Sequence, residues 1–327
     1  MKKPALLVAG VVATALLSSC GSESTEGTGG VIAFDTADWQ SRAFTCQEHN
    51  LSWDDVNDWY YQLQFMDYFD LANTRYDMIV IDPEPQQPLN SNIIDRIRCS
   101  GDGEKMAVAY LSIGKAENFR SYWQSDWTVG NPQWIAAPVE NFPGEFHVRY
   151  WDPQWRSLIL GDAESRLDRV IEAGFDGVVL DGVDGYAGFL EENPAAISDM
   201  HALIADIRDY AVTKSGNSDF GIFVQNTEEL IENSSVDWTG QLTGIVKISA
   251  FYAPTDNEVD TELRNFYDGY LNQWVGADKK VFTIDFAQQE NNIDLTYNES
   301  ALRGYIPLTV PSFGLHRLSV APGYEPD

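Results

Sequence analysis

Residues 173 to 186 read AGFDGVVLDGVDGY. The second residue of this stretch, Gly174, is a stop for the apolar-periodic segment before it. Gly177 to Leu180 is then a short run without polar alternation. It ends on Asp181, with a second carboxylate, Asp184, three residues further on. A helix stopped by glycine, then an uninterrupted apolar strand, is one unit of a parallel sheet covered on both faces. A carboxylate closing such a strand sits where α/β barrels place their chemistry.

The same unit recurs along the chain. Strands are predicted at Tyr60 to Gln64, Met78 to Ile81, Met106 to Ser112, Gly177 to Leu180, Phe220 to Gln225, Gly244 to Ala250, Lys280 to Ile284 and Tyr305 to Thr309. Helices are predicted at Pro153 to Ala173, Ala195 to Thr213 and Glu258 to Trp274. Eight strands alternating with helices predict an α/β fold, a single (β/α)8 TIM barrel with long loops at its C-terminal face. The segment from Glu117 to Trp151, rich in Trp, Pro and Asn, is expected to be an active-site loop.

The N-terminus reads as an export signal. Lys2 and Lys3 precede an uncharged apolar run, Ala5 to Leu17, and Leu17-Ser18-Ser19-Cys20 reads as a lipobox. Residues 1–19 are therefore expected to be a lipoprotein signal peptide, and 20–31 a lipidated Cys20 with a flexible tether. Residues 32–327 form the (β/α)8 domain by this reading. Gly21 in place of Asp favours the outer membrane of a bacterial envelope. Cys46 and Cys99 then remain as a pair in an oxidising compartment, where a disulfide is expected; the alternative is two free buried thiols.

The chain has 327 residues, and 50 Asp and Glu against 21 Lys and Arg set a formal charge of −29. A nucleic-acid partner is excluded on that balance, since phosphate contacts need clustered basic residues. A negative field instead suits a cationic partner or a saline habitat. The 4 His are scattered, with no metal-ligand spacing, so no metal is expected. Neither a G-x-S-x-G elbow nor a glycine-rich phosphate loop appears, and no cofactor is expected. A monomer is the expected state.

The predicted strands end on polar residues: Gln62 and Gln64, Asp82, Ser112 followed by Glu117, Asp181 with Asp184, Gln225-Asn226 followed by Glu228, and Asp285. Carboxylates that share a pocket move each other's pKa values apart into acid and base roles. Glycoside hydrolysis needs such a pair. Trp123, Trp127, Trp134, Tyr150, Trp151, Tyr186 and Tyr252 lie in or beside the predicted top loops, where aromatic rings suit sugar stacking. Each carboxylate also has a plainer reading. Asp82 precedes Pro83 and fits a turn. Glu117 and Arg120 fit an i, i+3 pair. Glu228 and Glu229 fit first-turn helix acids.

WYYQLQ (Trp59 to Gln64), AYLSIGKAENFRSYW (Ala109 to Trp123), VRYWDPQW (Val148 to Trp155), AGFDGVVLDGVDGY and VQNTEEL (Val224 to Leu230) together resemble glycoside hydrolase family 114. Its type activity is endo-α-1,4-polygalactosaminidase. The resemblance implies a (β/α)8 barrel that cleaves an amino-sugar polysaccharide, with Asp181 as nucleophile and Glu228 as general acid/base. Asp82, Glu117, Arg120, Asp184, Tyr186 and Asn226 match other pocket positions. Tyr110, Tyr150, Trp151, Gln225, Tyr252 and Asp285 join them as expected substrate contacts. The partner implied is a cationic or partly deacetylated polymer. Thr227 stands where the family usually has Gly, and Phe286 where it has Tyr; both departures bear on sugar preference. The competing expectation, from another class, is a catalytically silent lipoprotein that binds the same polymer.

Overall fold

The computed structural model describes residues 42–84, 89–99, 103–232, 240–311, 315, 321 and 323–326. The signal peptide, Cys20 and the tether lie outside the described residues. Eight parallel strands form one sheet in sequential order: β1 (Trp59–Gln62), β2 (Met78–Ile81), β3 (Met106–Ser112), β4 (Gly177–Asp181), β5 (Gly221–Gln225), β6 (Gly244–Ile248), β7 (Lys280–Asp285) and β8 (Ile306–Thr309). The sheet curls into a nearly closed barrel with helices outside, the TIM-barrel-like fold that the strand pattern predicts. All residues of β1 to β6 are buried, as two-sided coverage requires.

At the seam between β1 and β8, the Trp59 indole N–H donates to the Ile306 carbonyl at 3.1 Å. The Trp59 ring also packs against Phe282 at 5.0 Å between centroids. Trp59→Phe keeps an aromatic ring but removes this hydrogen bond across the seam. We expect a loss of about 1 kcal/mol, read as a lower urea midpoint with unchanged slope.

Two expectations are corrected. The predicted helix from Pro153 to Ala173 is two helices, Pro153–Ile159 and Arg166–Ala173. Asp152 caps the first through the Gln154 N–H, and Ser165 caps the second through Asp168, so local capping outweighs the continuous apolar period. The segment from Glu117 to Trp151 is not simply a loop. Lys115–Glu117, Ile135–Pro138 and Glu145–Val148 pair as a three-stranded antiparallel sheet. Its tryptophans form its packing: Trp123 stacks on Phe146, and Trp127 meets Trp134, which meets Trp155, each at 5.0 Å. An accessory layer this small has few aliphatic residues, and indoles bury the most area per residue.

Cys46 is disulfide-bonded to Cys99, with Cα atoms 5.5 Å apart. The bond ties the segment before β1 to the last residue of the helix Ser91–Cys99.

Candidate active site

Side chains from β1, β3 and β5 form a hydrogen-bonded chain around Asp181. This residue closes β4 and is buried, 7% exposed. Tyr110 on β3 donates its hydroxyl to Asp181 Oδ2 at 2.6 Å, and Gln225 on β5 donates Nε2 to Oδ1 at 2.8 Å. The Gln225 carbonyl oxygen in turn accepts from the Tyr61 hydroxyl of β1 at 2.8 Å. Lys115 Nζ lies 2.9 Å from Asp181 Oδ2. Burial pushes the Asp181 pKa up, but the Lys115 charge and the bonds from Tyr110, Lys115 and the Gly182 N–H prevail. The carboxyl stays below its ordinary value, ionised and aimed by neutral donors on two neighbouring strands.

Glu228 opens a 3-10 turn, Glu228–Glu232, just after β5, and is 2% exposed. Its Oε1 pairs with Lys247 of β6 at 3.2 Å, and Oε2 is buried with no hydrogen-bond partner among the described residues. The Trp274 indole donates to the Glu228 carbonyl at 3.1 Å and fixes the backbone. Lys247 lies over the Tyr267 ring, 3.4 Å from its centroid. The two candidate catalytic carboxylates thus close adjacent strands, each beside a lysine.

Asp82 and Glu117 share Arg120. Arg120 Nη1 reaches both Asp82 oxygens at 2.7 Å, and Nε reaches Glu117 at 2.7 Å. The plainer i, i+3 reading of Glu117 and Arg120 is therefore true as geometry, but the pair is buried rather than on the surface. Asp184, half-buried beside Asp181, is raised to about 6 by burial. Tyr186 donates to Glu229 at 3.0 Å.

Four expected contacts have structural partners. Asp285 is fully buried and accepts the backbone N–H groups of Phe251 and Tyr252 at 2.6 and 2.8 Å, so it anchors the loop after β6. Tyr252 donates to Asn292. Tyr150 donates its hydroxyl to the Ala196 carbonyl and packs on Trp151. Trp151 itself packs edge-on against Phe189. Sequence reasoning missed Lys115, Glu145 and Lys247. Lys115 lies within the AYLSIGKAENFRSYW motif, three residues past the β3 end, and was within reach. Glu145 follows an unremarkable Pro-Gly, and only sheet pairing brings it in.

The family model described as glycoside-hydrolase family GH114 matches residues 41–310. The chain belongs to glycoside hydrolase family 114. A Deinococcus radiodurans protein of unassigned function is 33% identical over 234 residues, 71% of this chain and 72% of its own. One from Methanocaldococcus jannaschii is 31% identical over 272 residues, 78% and 75% of the two chains. Among solved structures, Aspergillus fumigatus Ega3, in complex with galactosamine, aligns over 84% of this chain and 98% of its own. Its TM-score is 0.57 at 15% identity. The glycoside hydrolase domain of Pseudomonas aeruginosa PelA aligns over 80% and 97%, with TM-score 0.58 at 16% identity. At these identities the structures attest to the fold alone.

In this GH114 chain the turn before Glu228 is strained. Asn226 and Thr227 have φ of +57° and +61°. Asparagine tolerates that region; a β-branched residue is an outlier there. The Asn226 side chain holds the turn by accepting the Ile248 N–H at 3.1 Å. The Thr227 departure from Gly is thus a backbone matter before it is a sugar contact.

The buried carboxylates also predict how stability follows pH. Burial raises Asp184 to about 6, and Glu145 and Asp285 to about 7. A group raised on folding favours the folded state below its unfolded pKa, and that contribution fades as pH rises through the folded value. Thermal stability should therefore increase from pH 8 to pH 5. It should turn downward only near or below pH 4, where Asp181 and other paired carboxylates take up protons. A Tm series across that window tests this; a flat or falling Tm from pH 8 to 5 contradicts it.

Proposed function

We propose that this chain is an extracytoplasmic glycoside hydrolase that cleaves α-1,4-linked galactosamine-type polysaccharide within the chain. Asp181 serves as nucleophile and Glu228 as general acid/base. The observation that carries the reading is the placement of these two carboxylates, buried on adjacent strand ends of a GH114 barrel. In the first step an Asp181 oxygen bonds to the anomeric carbon as the glycosidic C–O bond breaks. Glu228 gives its proton to the departing oxygen. In the second, Glu228 takes a proton from water, the water oxygen bonds to the anomeric carbon, and Asp181 leaves as carboxylate. Tyr110 and Gln225 hold Asp181 throughout, while the Asp82–Arg120–Glu117 cluster makes a rigid polar wall.

Support for the sugar class comes from the galactosamine complex of Ega3 and from the charge of −29. A deacetylated amino-sugar polymer is a polycation, which an acidic protein attracts over distance. Cleavage of deacetylated poly-galactosamine, poly-glucosamine and fully acetylated polymers, with products read by mass, tests the reading. Internal cuts in the first supports it, with a rate that falls as salt screens the attraction. Binding without any cleavage would favour the silent binder. Lipid attachment at Cys20 to a bacterial envelope membrane, more specifically the outer membrane, belongs to the same proposal. Cys20→Ala should move the protein to the soluble fraction; unchanged membrane association refutes the anchor.

A further inference from the structure

We propose that Lys115 is a positioning residue for Asp181, delivered by the accessory sheet rather than the barrel, whose ammonium both orients the nucleophile and keeps it ionised. The inference rests on the function proposed above for its catalytic meaning, and on geometry for the rest.

Lys115 stands between Gly114 and Ala116 in AYLSIGKAENFRSYW, three residues past the end of β3. Among the described residues it is the one cation within ion-pair distance of Asp181. The other partners, Tyr110 and Gln225, are neutral donors. A carboxylate this buried gains a proton unless a full positive charge opposes the loss of water.

The placement of Lys115 is built, not incidental. Its carbonyl accepts from Ser112 Oγ at 3.0 Å, and the preceding Ile113 and Gly114 donate their N–H groups to the Asp181 carbonyl at 2.9 and 3.4 Å. Lys115 then opens the strand Lys115–Glu117, whose partner strand brings His147 opposite Lys115 and Glu145 opposite Glu117. Two glutamates directly opposite would repel, but each has its own cation: Glu117 takes Arg120, and Glu145 takes Lys115 at 3.5 Å. The groups facing Lys115 are thus Asp181, Glu145, Asp184 and His147. Burial, aided by the Lys115 charge, lowers the His147 pKa, so the imidazole adds no competing cation at neutral pH.

Glu145 explains how the device survives the reaction. When the Asp181 oxygen forms its bond to the sugar, its negative charge disappears. Lys115 would then be a buried cation without a partner. Glu145, 3.5 Å away and raised to about 7 by burial and in part by the Asp181 charge, ionises more readily once that charge is gone and then serves as the Lys115 counter-ion until Asp181 is released.

The test is Lys115→Met, which keeps the length of the side chain and removes the charge, with Lys115→Arg as the conservative variant. The first readout needs no substrate: the Asp181 carboxyl is titrated by 13C NMR in the resting full chain, assigned by its loss in Asp181→Asn. The midpoint should climb by about one pH unit or more in Lys115→Met and stay low in Lys115→Arg. The second is the pH profile on the cleaved polymer. In Lys115→Met the acid limb should move upward and kcat fall by about tenfold or more, with KM changed far less; Lys115→Arg should recover most of kcat. A folded Lys115→Met protein with an unmoved midpoint and acid limb overturns the proposal. A shifted midpoint in a chain that cleaves no polymer upholds the role of Lys115 as counter-ion and removes the proposed function instead.

Discussion

Asp181→Asn and Glu228→Gln are each expected to lower kcat/KM on a galactosamine polymer by about 10³-fold or more, with the fold intact. The two losses have different physical origins. In Asp181→Asn the reacting oxygen loses its charge, so no stable bond to the anomeric carbon forms. The amide also places a donor against one of three existing donors: the Tyr110 hydroxyl, the Gln225 amide or Lys115. The Gln225 amide can turn to accept, its N–H2 then donating to the Tyr61 hydroxyl in place of the present bond, and Glu145 stays beside Lys115, so stability should fall by no more than about 1–2 kcal/mol. Glu228→Gln is closer to neutral in structure. The amide oxygen can keep Lys247, and the new N–H2 takes the place of Oε2, which has no hydrogen-bond partner among the described residues. Its effect is loss of the proton that the leaving oxygen needs, so substrates with better leaving groups should suffer less. Circular dichroism and urea midpoints close to wild type, with cleavage abolished, are the expected results. Full activity in both variants would falsify the catalytic assignment.

Gly114→Ala is expected to disrupt the protein more than any substitution on its surface. A Cβ at Gly114 would lie 1.8 Å from the Gly182 carbonyl oxygen and 2.7 Å from its carbon. Both are backbone atoms, so no side chain can swing away. Gly182 comes directly after Asp181 and has φ +74°. Relief of the clash therefore moves the backbone that carries Asp181. Overpacking of this kind costs about 1–3 kcal/mol or more. We expect a large drop in the urea midpoint or failure to fold, and any folded fraction should be inactive. Gly188→Ala is the control. A Cβ there meets nothing within 4 Å, and both stability and rate should match wild type. A Gly114→Ala protein as stable and active as wild type would show that the close crossing of β3 and β4 termini is not required.

Much of the site was legible because barrels place function at strand ends. Asp82, Asp181 and Gln225 stand out as polar residues that terminate apolar runs, with Glu228 three residues past the last of these, and Gln225 is hydrogen-bonded to Asp181. Tyr110 emerged only through the family motif around it, since nothing in an apolar strand distinguishes a tyrosine that points at a carboxylate from one that packs. Tyr150 and Asp285 show the converse. Both lie where function was expected, yet their polar atoms bind backbone groups that would otherwise be buried unpaired. The tryptophans of the accessory layer misled for a related reason: aromatic residues serve a small core as well as a sugar site, and composition does not separate the two uses.

By itself the sequence determined the barrel, through eight apolar runs at helix-sized intervals, and the acidity of the molecule. Both are properties of local pattern or of simple summation, and neither depends on who meets whom. The tertiary structure alone decided that Lys115 and Lys247 each stand beside one catalytic candidate, and that Glu145 comes from the strand paired with that of Lys115 to join the first pair. Electrostatic partners act over a few ångströms in space. Lys115 and Asp181 come from different strands, Glu145 from a hairpin beyond both, and only folding sets the distances on which ionisation depends.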